Sequence, residues 1–282
     1  MIKKLCVIGA GTMGAGIAQV AVESGVETIL LDVDDRFVQR GIDTIKTFVG
    51  KKLEKGKLNQ ADHDLILSRL RGTCNMKEAL DGADMVIEAV FEKLELKQSI
   101  YAELDRLASK ETILSSNTST LSISKIASAA KSPERVIGTH FFSPVPLMRL
   151  VEVIRGEMTG ETVTQSVLEF CKAIGKTPIL AKDVPGFIVN RFLGLLYNEA
   201  ANQIYEGYAT PQDIDLGLKL GANHPMGPVE IMDMAGVDVV YNALKAMYEM
   251  TGEDRYKPSP LFEEMIRENR LGWKTKRGFY EY

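Results

Sequence analysis

The sequence predicts an α/β protein, a mostly parallel sheet with helices on its faces followed by an all-helical C-terminal domain. Three observations predict it. Short apolar runs alternate with helical patterns over the first two thirds of the chain, a glycine turn follows the first run, and strand patterns cease after Lys182. With 282 residues and 45% apolar composition there is enough chain for one large domain and a smaller one. A formal net charge of −4 without a basic tail argues against nucleic acid as a partner, because phosphate binding needs a concentrated positive field.

Taken in order, Lys4–Ile8, Thr28–Leu31, Met85–Val90, Thr112–Ser115, Val136–Phe142 and Leu150–Ile154 read as strands. After the first of these, Met13, Ile17, Val20 and Ala21 recur at helical spacing and would pack a helix back onto the sheet. The charged stretch from Asp34 to Arg71 reads as an inserted helix pair. Beyond Lys182, apolar residues such as Ile188, Phe192, Leu195 and Leu196 keep helical spacing, and the DVPG run at Asp183–Gly186 supplies a cap, a proline and a breaker. The resulting division is 1–183 and 184–282. Cys6, Cys74 and Cys171 are odd in number and lack a CxxC pair, which fits a reducing compartment. His63, His140 and His224 show no metal-ligand spacing, so no metal is expected. Neither a targeting peptide nor a run of about eighteen apolar residues is evident, so a soluble, cytoplasmic protein is expected, with no membrane partner.

The segment VIGAGTMG, Val7–Gly14, carries the first chemistry. Gly9, Gly11, Thr12, Met13 and Gly14 fit G-x-G-x-x-G, in which one glycine makes the tight turn, one lets a pyrophosphate approach and one packs helix on strand. The helix that follows offers unsatisfied amides and a partial positive charge. Asp32 ends the next strand eighteen positions beyond Gly14, where a carboxylate accepts ribose hydroxyls and repels a 2′-phosphate. NAD is therefore expected in preference to NADP, with Arg36 nearby working against that preference.

The second chemistry lies in HFFSPVPLMRLVEVI, His140–Ile154. A chain that turns tightly about Pro146 sets His140 opposite Glu152 on antiparallel strands. Glu152 would then hold one ring nitrogen and stabilise the imidazolium, leaving the other nitrogen to accept a hydroxyl proton as hydride departs. The Ser115–Ile123 run SSNTSTLSI could line a pocket or cap a helix near Ser122, and Asn190 with Arg191 could be helix surface or point an amide at a cleft.

Through VIGAGTMGAGIAQ, DMVIEAVFE, SSNTSTLSI, GTHFFSPVPLMRLVEVI, DVPGFIVNR, HPMGP and KTKRGFYEY, essentially the whole chain resembles the 3-hydroxyacyl-CoA dehydrogenase family, particularly its short bacterial 3-hydroxybutyryl-CoA members. The resemblance implies a Rossmann-type NAD-binding domain with an inserted helix pair, a helical substrate and dimerisation domain, and interconversion of an (S)-3-hydroxyacyl-CoA with its 3-ketoacyl-CoA in a homodimer. It implies His140 as acid/base and Glu152 as its partner, with Ser119 and Asn190 hydrogen-bonding the substrate oxygen or helping to position His140, and Asn117 near nicotinamide and thioester. Glu92 and Lys97 match positions that contact NAD or stabilise domain closure, Lys274 and Lys276 could approach the cofactor from the tail or be surface charge, and Thr44 and Lys51, beside the Lys51–Lys57 run KKLEKGK, match contacts to CoA. Two departures are Ser143, where many members carry Asn, and Leu195, where proline is frequent. Two rival readings keep the nucleotide motif: a dehydrogenase of a non-CoA hydroxy acid, distinguished by comparing free acid with thioester, and a non-catalytic NAD-binding redox sensor, which needs no His/Glu pair.

Overall fold

The computed structural model describes residues 2–282, which form one compact unit up to Val184 and a second, Pro185–Tyr282. In the first unit the elements run β1 (Lys4–Ile8), α1 (Thr12–Glu23), β2 (Glu27–Leu31), α2 (Asp35–Glu54), α3 (Gln60–Ser68), β3 (Leu70–Thr73), α4 (Met76–Leu80) and β4 (Met85–Glu88). They continue with α5 (Leu94–Leu107), β5 (Ile113–Ser116), α6 (Ile123–Ala127), β6 (Val136–Phe141), β7 (Leu150–Arg155), α7 (Glu161–Ala173) and β8 (Thr177–Lys182). The eight strands make one sheet in the order β3-β2-β1-β4-β5-β6-β7-β8. Every pairing is parallel except β6 with β7. The order reverses between β1 and β4, which opens a crevice at the carboxyl ends of those strands.

Burial explains the elements. The central strands are buried on both faces, as parallel strands under two helical layers must be, and open on apolar runs whose carboxyl ends turn polar in β4, β5 and β6. Helix α1 is buried from Gly14 to Val22, more than the one predicted stripe, because it packs against α2 as well as the sheet. Two strands are corrections to the sequence reading. Leu70–Thr73, assigned in part to the helix pair, pairs with β2, and Thr177–Lys182 pairs with β7. Both are edge strands, half exposed, so neither shows the apolar run that marks a central strand.

The second unit contains α8 (Val189–Tyr205), α9 (Pro211–Gly221), α10 (Pro228–Ala235), α11 (Val237–Thr251) and α12 (Pro260–Arg267) around their own core of Val229, Met232, Leu244, Phe262 and Met265. Helix α8 buries Gly194, Tyr197, Asn198, Ala200 and Ala201, whereas Phe192 of the predicted stripe is 72% exposed. Small residues decide this face: a Cβ on Gly194 would lie 2.6 Å from Met247 Cε. Two buried carboxylates anchor the C-terminal strap. Asp233 accepts the amides of Phe279 and Tyr280, both at 2.9 Å, and the Tyr282 hydroxyl at 3.0 Å. Asp215 accepts the amides of Val229 and Glu230 and the Tyr280 hydroxyl at 2.6 Å.

Cys6 and Cys171 are buried, and burial pushes each thiol up to about 12. Cys74 is exposed, and a hydrogen bond to Asp35, 3.1 Å away, pushes it up to about 11. Among the described residues no helix is long and apolar enough to cross a membrane.

Replacing Asp233 by Asn sets a donor against a donor inside the second unit. We expect this variant to lose roughly 2–4 kcal/mol of stability, read as an earlier unfolding transition of the full chain in urea. Wild-type stability would show that the strap is not held by this carboxylate.

Candidate active site

The crevice is built at the strand ends from β1 outward. Gly9 adopts φ +100°, and a Cβ there would meet the Ala89 carbonyl oxygen at 2.6 Å. A Cβ on Gly14 would lie 1.7 Å from the Gly9 carbonyl oxygen, so the first turn of α1 sits directly on the loop. Gly11 differs, since a Cβ on it would meet nothing within 4 Å. Two glycines are thus required by the protein's own packing, and the third leaves space where a pyrophosphate would need it. Thr12 is exposed and Met13 half-buried in the first turn, which carries no acidic residue to oppose an anion.

Asp32, at the end of β2, ties strand to loop. Its Oδ2 accepts from Ala10 N–H and its Oδ1 from Val33 N–H, both at 2.7 Å. Arg36 is turned onto Asp34, with Nη2 2.7 Å from Oδ2.

Beside the loop, β4 ends in Glu88, which is fully buried. Lys97 of α5, 1% exposed, donates to Glu88 Oε1 at 2.6 Å, and Ser116 Oγ donates to Oε2 at 2.8 Å. Lys97 also lies 3.4 Å from Glu92. Expected among the cofactor contacts, Lys97 has its ammonium enclosed by two carboxylates. Glu92 in turn accepts from Thr118 Oγ1, from Ser119 N–H at 2.8 Å and from Thr120 N–H at 3.0 Å. Burial alone would raise its pKa, but Lys97 and these donors outweigh that, so the carboxyl lies below the ordinary 4.5. The network holds the backbone of Ser119 in place. Glu88 escaped the sequence reading, although a carboxylate inside the apolar run MVIEAV signals a buried partner, which Lys97 nine residues on supplies.

Asn117 Oδ1 accepts from Phe141 N–H at 2.9 Å, fixing the backbone next to His140. His140 stands opposite Glu152 in the antiparallel register of β6 and β7, and His140 Nδ1 lies 2.7 Å from Glu152 Oε2. His140 is 5% exposed and Glu152 fully buried. The contact turns Nδ1 to the carboxyl group and so sets the ring's orientation. The Phe142 ring packs on the imidazole at 4.5 Å between centroids. Ser122 caps α6, accepting from Lys125 N–H.

A cavity of about 800 Å³ runs from Gly11 and Thr12 along α2, lined by Arg40, Thr44, Phe48, Lys51, Lys52, Lys55 and Lys57 on one side and Pro144–Leu147 on the other. Thr44 Oγ1 donates to the Arg40 carbonyl. Lys51 lies 5.6 Å from the Phe48 ring, and Lys52 is paired with Glu23 at 2.7 Å. The remaining two predicted residues belong to the second unit. Asn190 is in the first turn of α8, followed by Arg191, which bonds the Pro185 carbonyl and stacks 5.1 Å over Tyr256. Lys274 is paired with Asp238.

A glycine turn at the switch point of an open parallel sheet, with a histidine–carboxylate pair at the same edge, is the layout of a dinucleotide-dependent oxidoreductase. Residues 4–184 match the model of the 3-hydroxyacyl-CoA dehydrogenase NAD binding domain and 186–282 that of the 3-hydroxyacyl-CoA dehydrogenase C-terminal domain. A probable 3-hydroxybutyryl-CoA dehydrogenase of Deinococcus radiodurans is 42% identical over 99% of this chain and 100% of its own. A 3-hydroxybutyryl-CoA dehydrogenase of Clostridioides difficile is also 42% identical, over 99% of each chain. The crystal structure of (S)-3-hydroxybutyryl-CoA dehydrogenase from Ralstonia eutropha superposes with a TM-score of 0.97 at 40% identity, covering 100% of this chain and 99% of that one. The chain belongs to the 3-hydroxyacyl-CoA dehydrogenase family and is an oxidoreductase.

Because Glu92 has a lowered pKa when folded, its contribution to stability is present above the unfolded carboxyl's 4.5 and is lost as pH falls through the folded value. Glu92→Gln should therefore melt below wild type at neutral pH, with the difference closing in acid. Parallel melting curves at all pH values would show that the charge contributes nothing.

Proposed function

We propose that this protein interconverts (S)-3-hydroxybutyryl-CoA and acetoacetyl-CoA with NAD, His140 exchanging the proton and Glu152 holding it in place. The observation that carries the reading is the 2.7 Å contact between His140 Nδ1 and Glu152 Oε2 inside a buried antiparallel pair at the dinucleotide edge. When bound, the nicotinamide supplies the hydride acceptor for oxidation and the donor for reduction. Gly9, Gly11, Thr12, Met13 and Gly14 would hold its pyrophosphate, and Asp32 its ribose. The Asp32 carboxylate and the engagement of Arg36 by Asp34 favour NAD over NADP. In oxidation neutral His140 takes the 3-hydroxyl proton on Nε2 while Glu152 balances the new charge, and in reduction the imidazolium returns that proton to the forming alkoxide.

Ser119, its backbone set by Glu92, and Asn190 are assigned to the substrate oxygen, Asn117 to the pocket between nicotinamide and thioester, and Lys274 and Glu92 to the cofactor. Lys97 serves by holding Glu88 and Glu92. The cations along α2, with Thr44 and Lys51 foremost, suit the phosphates of CoA. Residues 184–282 are assigned as the substrate and dimerisation domain. The exposed Phe192, Tyr208, Leu216 and Leu220 of the helical unit support a homodimer formed through it. A cytoplasmic location accords with a CoA substrate.

The first test is NADH oxidation with acetoacetyl-CoA beside free acetoacetate and beside NADPH. We expect turnover with NADH and the thioester alone. Turnover of the free acid would move the assignment to a hydroxy-acid dehydrogenase, and none with either, despite NADH binding, to a sensor. For His140→Ala we expect kcat to fall by roughly 10²–10⁴-fold; near-wild-type turnover would remove the base assignment. Glu152→Gln should lose most turnover while retaining NADH binding by fluorescence. Wild-type turnover in a folded Glu152→Gln would overturn its role in holding His140.

A further inference from the structure

We propose that Lys176, which no step above uses, is a positioning residue that fixes one wall of the acyl-CoA cavity by clamping the turn between β6 and β7. The assignment rests on the acyl-CoA reading of that cavity. The turn is closed internally by the amides of Leu147 and Met148, both donating to the Pro144 carbonyl at 3.0 Å. Lys176 stands between α7 and β8 and is 8% exposed, and its Nζ donates to the carbonyls of Val145 and, at 2.8 Å, Met148. The next amide, Thr177 N–H, donates to the Arg149 carbonyl at 2.7 Å. Three hydrogen bonds, two from Lys176 and one from Thr177, hold one side of the turn.

The other side is held by shape. Val145 is 2% exposed and packs on Gly16 of α1, where a Cβ would come within 2.9 Å of Val145 Cβ. Pinned between an ammonium and a glycine, the turn presents Pro144, Pro146 and Leu147 to the cavity across from Thr44 and Lys51. An apolar side chain in place of Lys176 would leave two inward carbonyls without this donor. Burial lowers the pKa of Lys176, and the nearby Glu23 of α1 works the other way, favouring the charged form. The His140–Glu152 pair is held separately by the strand ladder, so the clamp acts on binding of the substrate more than on proton transfer.

The test is a kinetic split in Lys176→Met, with Gly16→Ala as an independent displacement of the same turn from its other side. We expect the KM for acetoacetyl-CoA to rise about tenfold, equivalent to about 1.4 kcal/mol, with kcat and the NADH Kd within about twofold of wild type. A purely structural role would lower the melting temperature and leave that KM alone. An unchanged KM in a folded variant, or equal weakening of substrate and NADH, would overturn the assignment; if Lys176→Met does not fold, Gly16→Ala decides by the same criteria. Wild-type protein that shows no preference for the thioester over free acetoacetate would instead overturn the substrate reading.

Discussion

The antiparallel pairing of β6 with β7 is the constraint on which the site depends. In a strand, side chains alternate between faces and directly opposed residues share one, so the register decides which side chains meet. Here that register sets His140 against Glu152, Thr139 against Val153 and Phe141 against Val151. A slip of one residue would set His140 against a valine and separate the imidazole from the carboxylate. The short turn after Phe141 makes this the sheet's one antiparallel pairing, since parallel neighbours are joined by long crossovers whereas this turn returns the chain within a few residues.

Around that pair the structure spends its buried charges on backbone geometry. Glu88 and Lys97 neutralise each other where a lone charge would be untenable, and Glu92 extends the pair to the amides of Ser119 and Thr120. Asp183 does the same at the end of the first unit, accepting the amides of Ile123 and Ser124 at 2.8 Å. Asp32 and Asn117 pin the glycine loop and the strand beside His140. Each of these groups fixes the backbone of a segment at the strand edge, which is how loops there acquire the precision of the strands themselves.

Much of this was legible in the residues. The central strands announce themselves because burial on both faces demands apolar runs, and the glycine loop because backbone clashes leave no alternative at Gly9 and Gly14. The facing of 140 and 152 follows from counting equally either side of Pro146. What stayed hidden depends on tertiary context. The edge strands β3 and β8 are half polar, and the buried face of α8 uses glycine and alanine rather than its large apolar residues. Glu88 and Lys176 look like ordinary charged residues until the neighbours that enclose them are known.

The cysteines acquire a meaning from the substrate class. An acyl-CoA is an activated thioester, open to exchange with any accessible thiolate, which would carry the acyl group onto the protein and release free CoA. Cys6 and Cys171 are sealed in the core, and the hydrogen bond to Asp35 pushes the exposed Cys74 thiol up to about 11, toward its protonated form. An enzyme of this family must return the acyl chain on the sulfur that brought it. In this chain burial and the Asp35 carboxylate push all three thiols toward the protonated form, which is the poorer nucleophile.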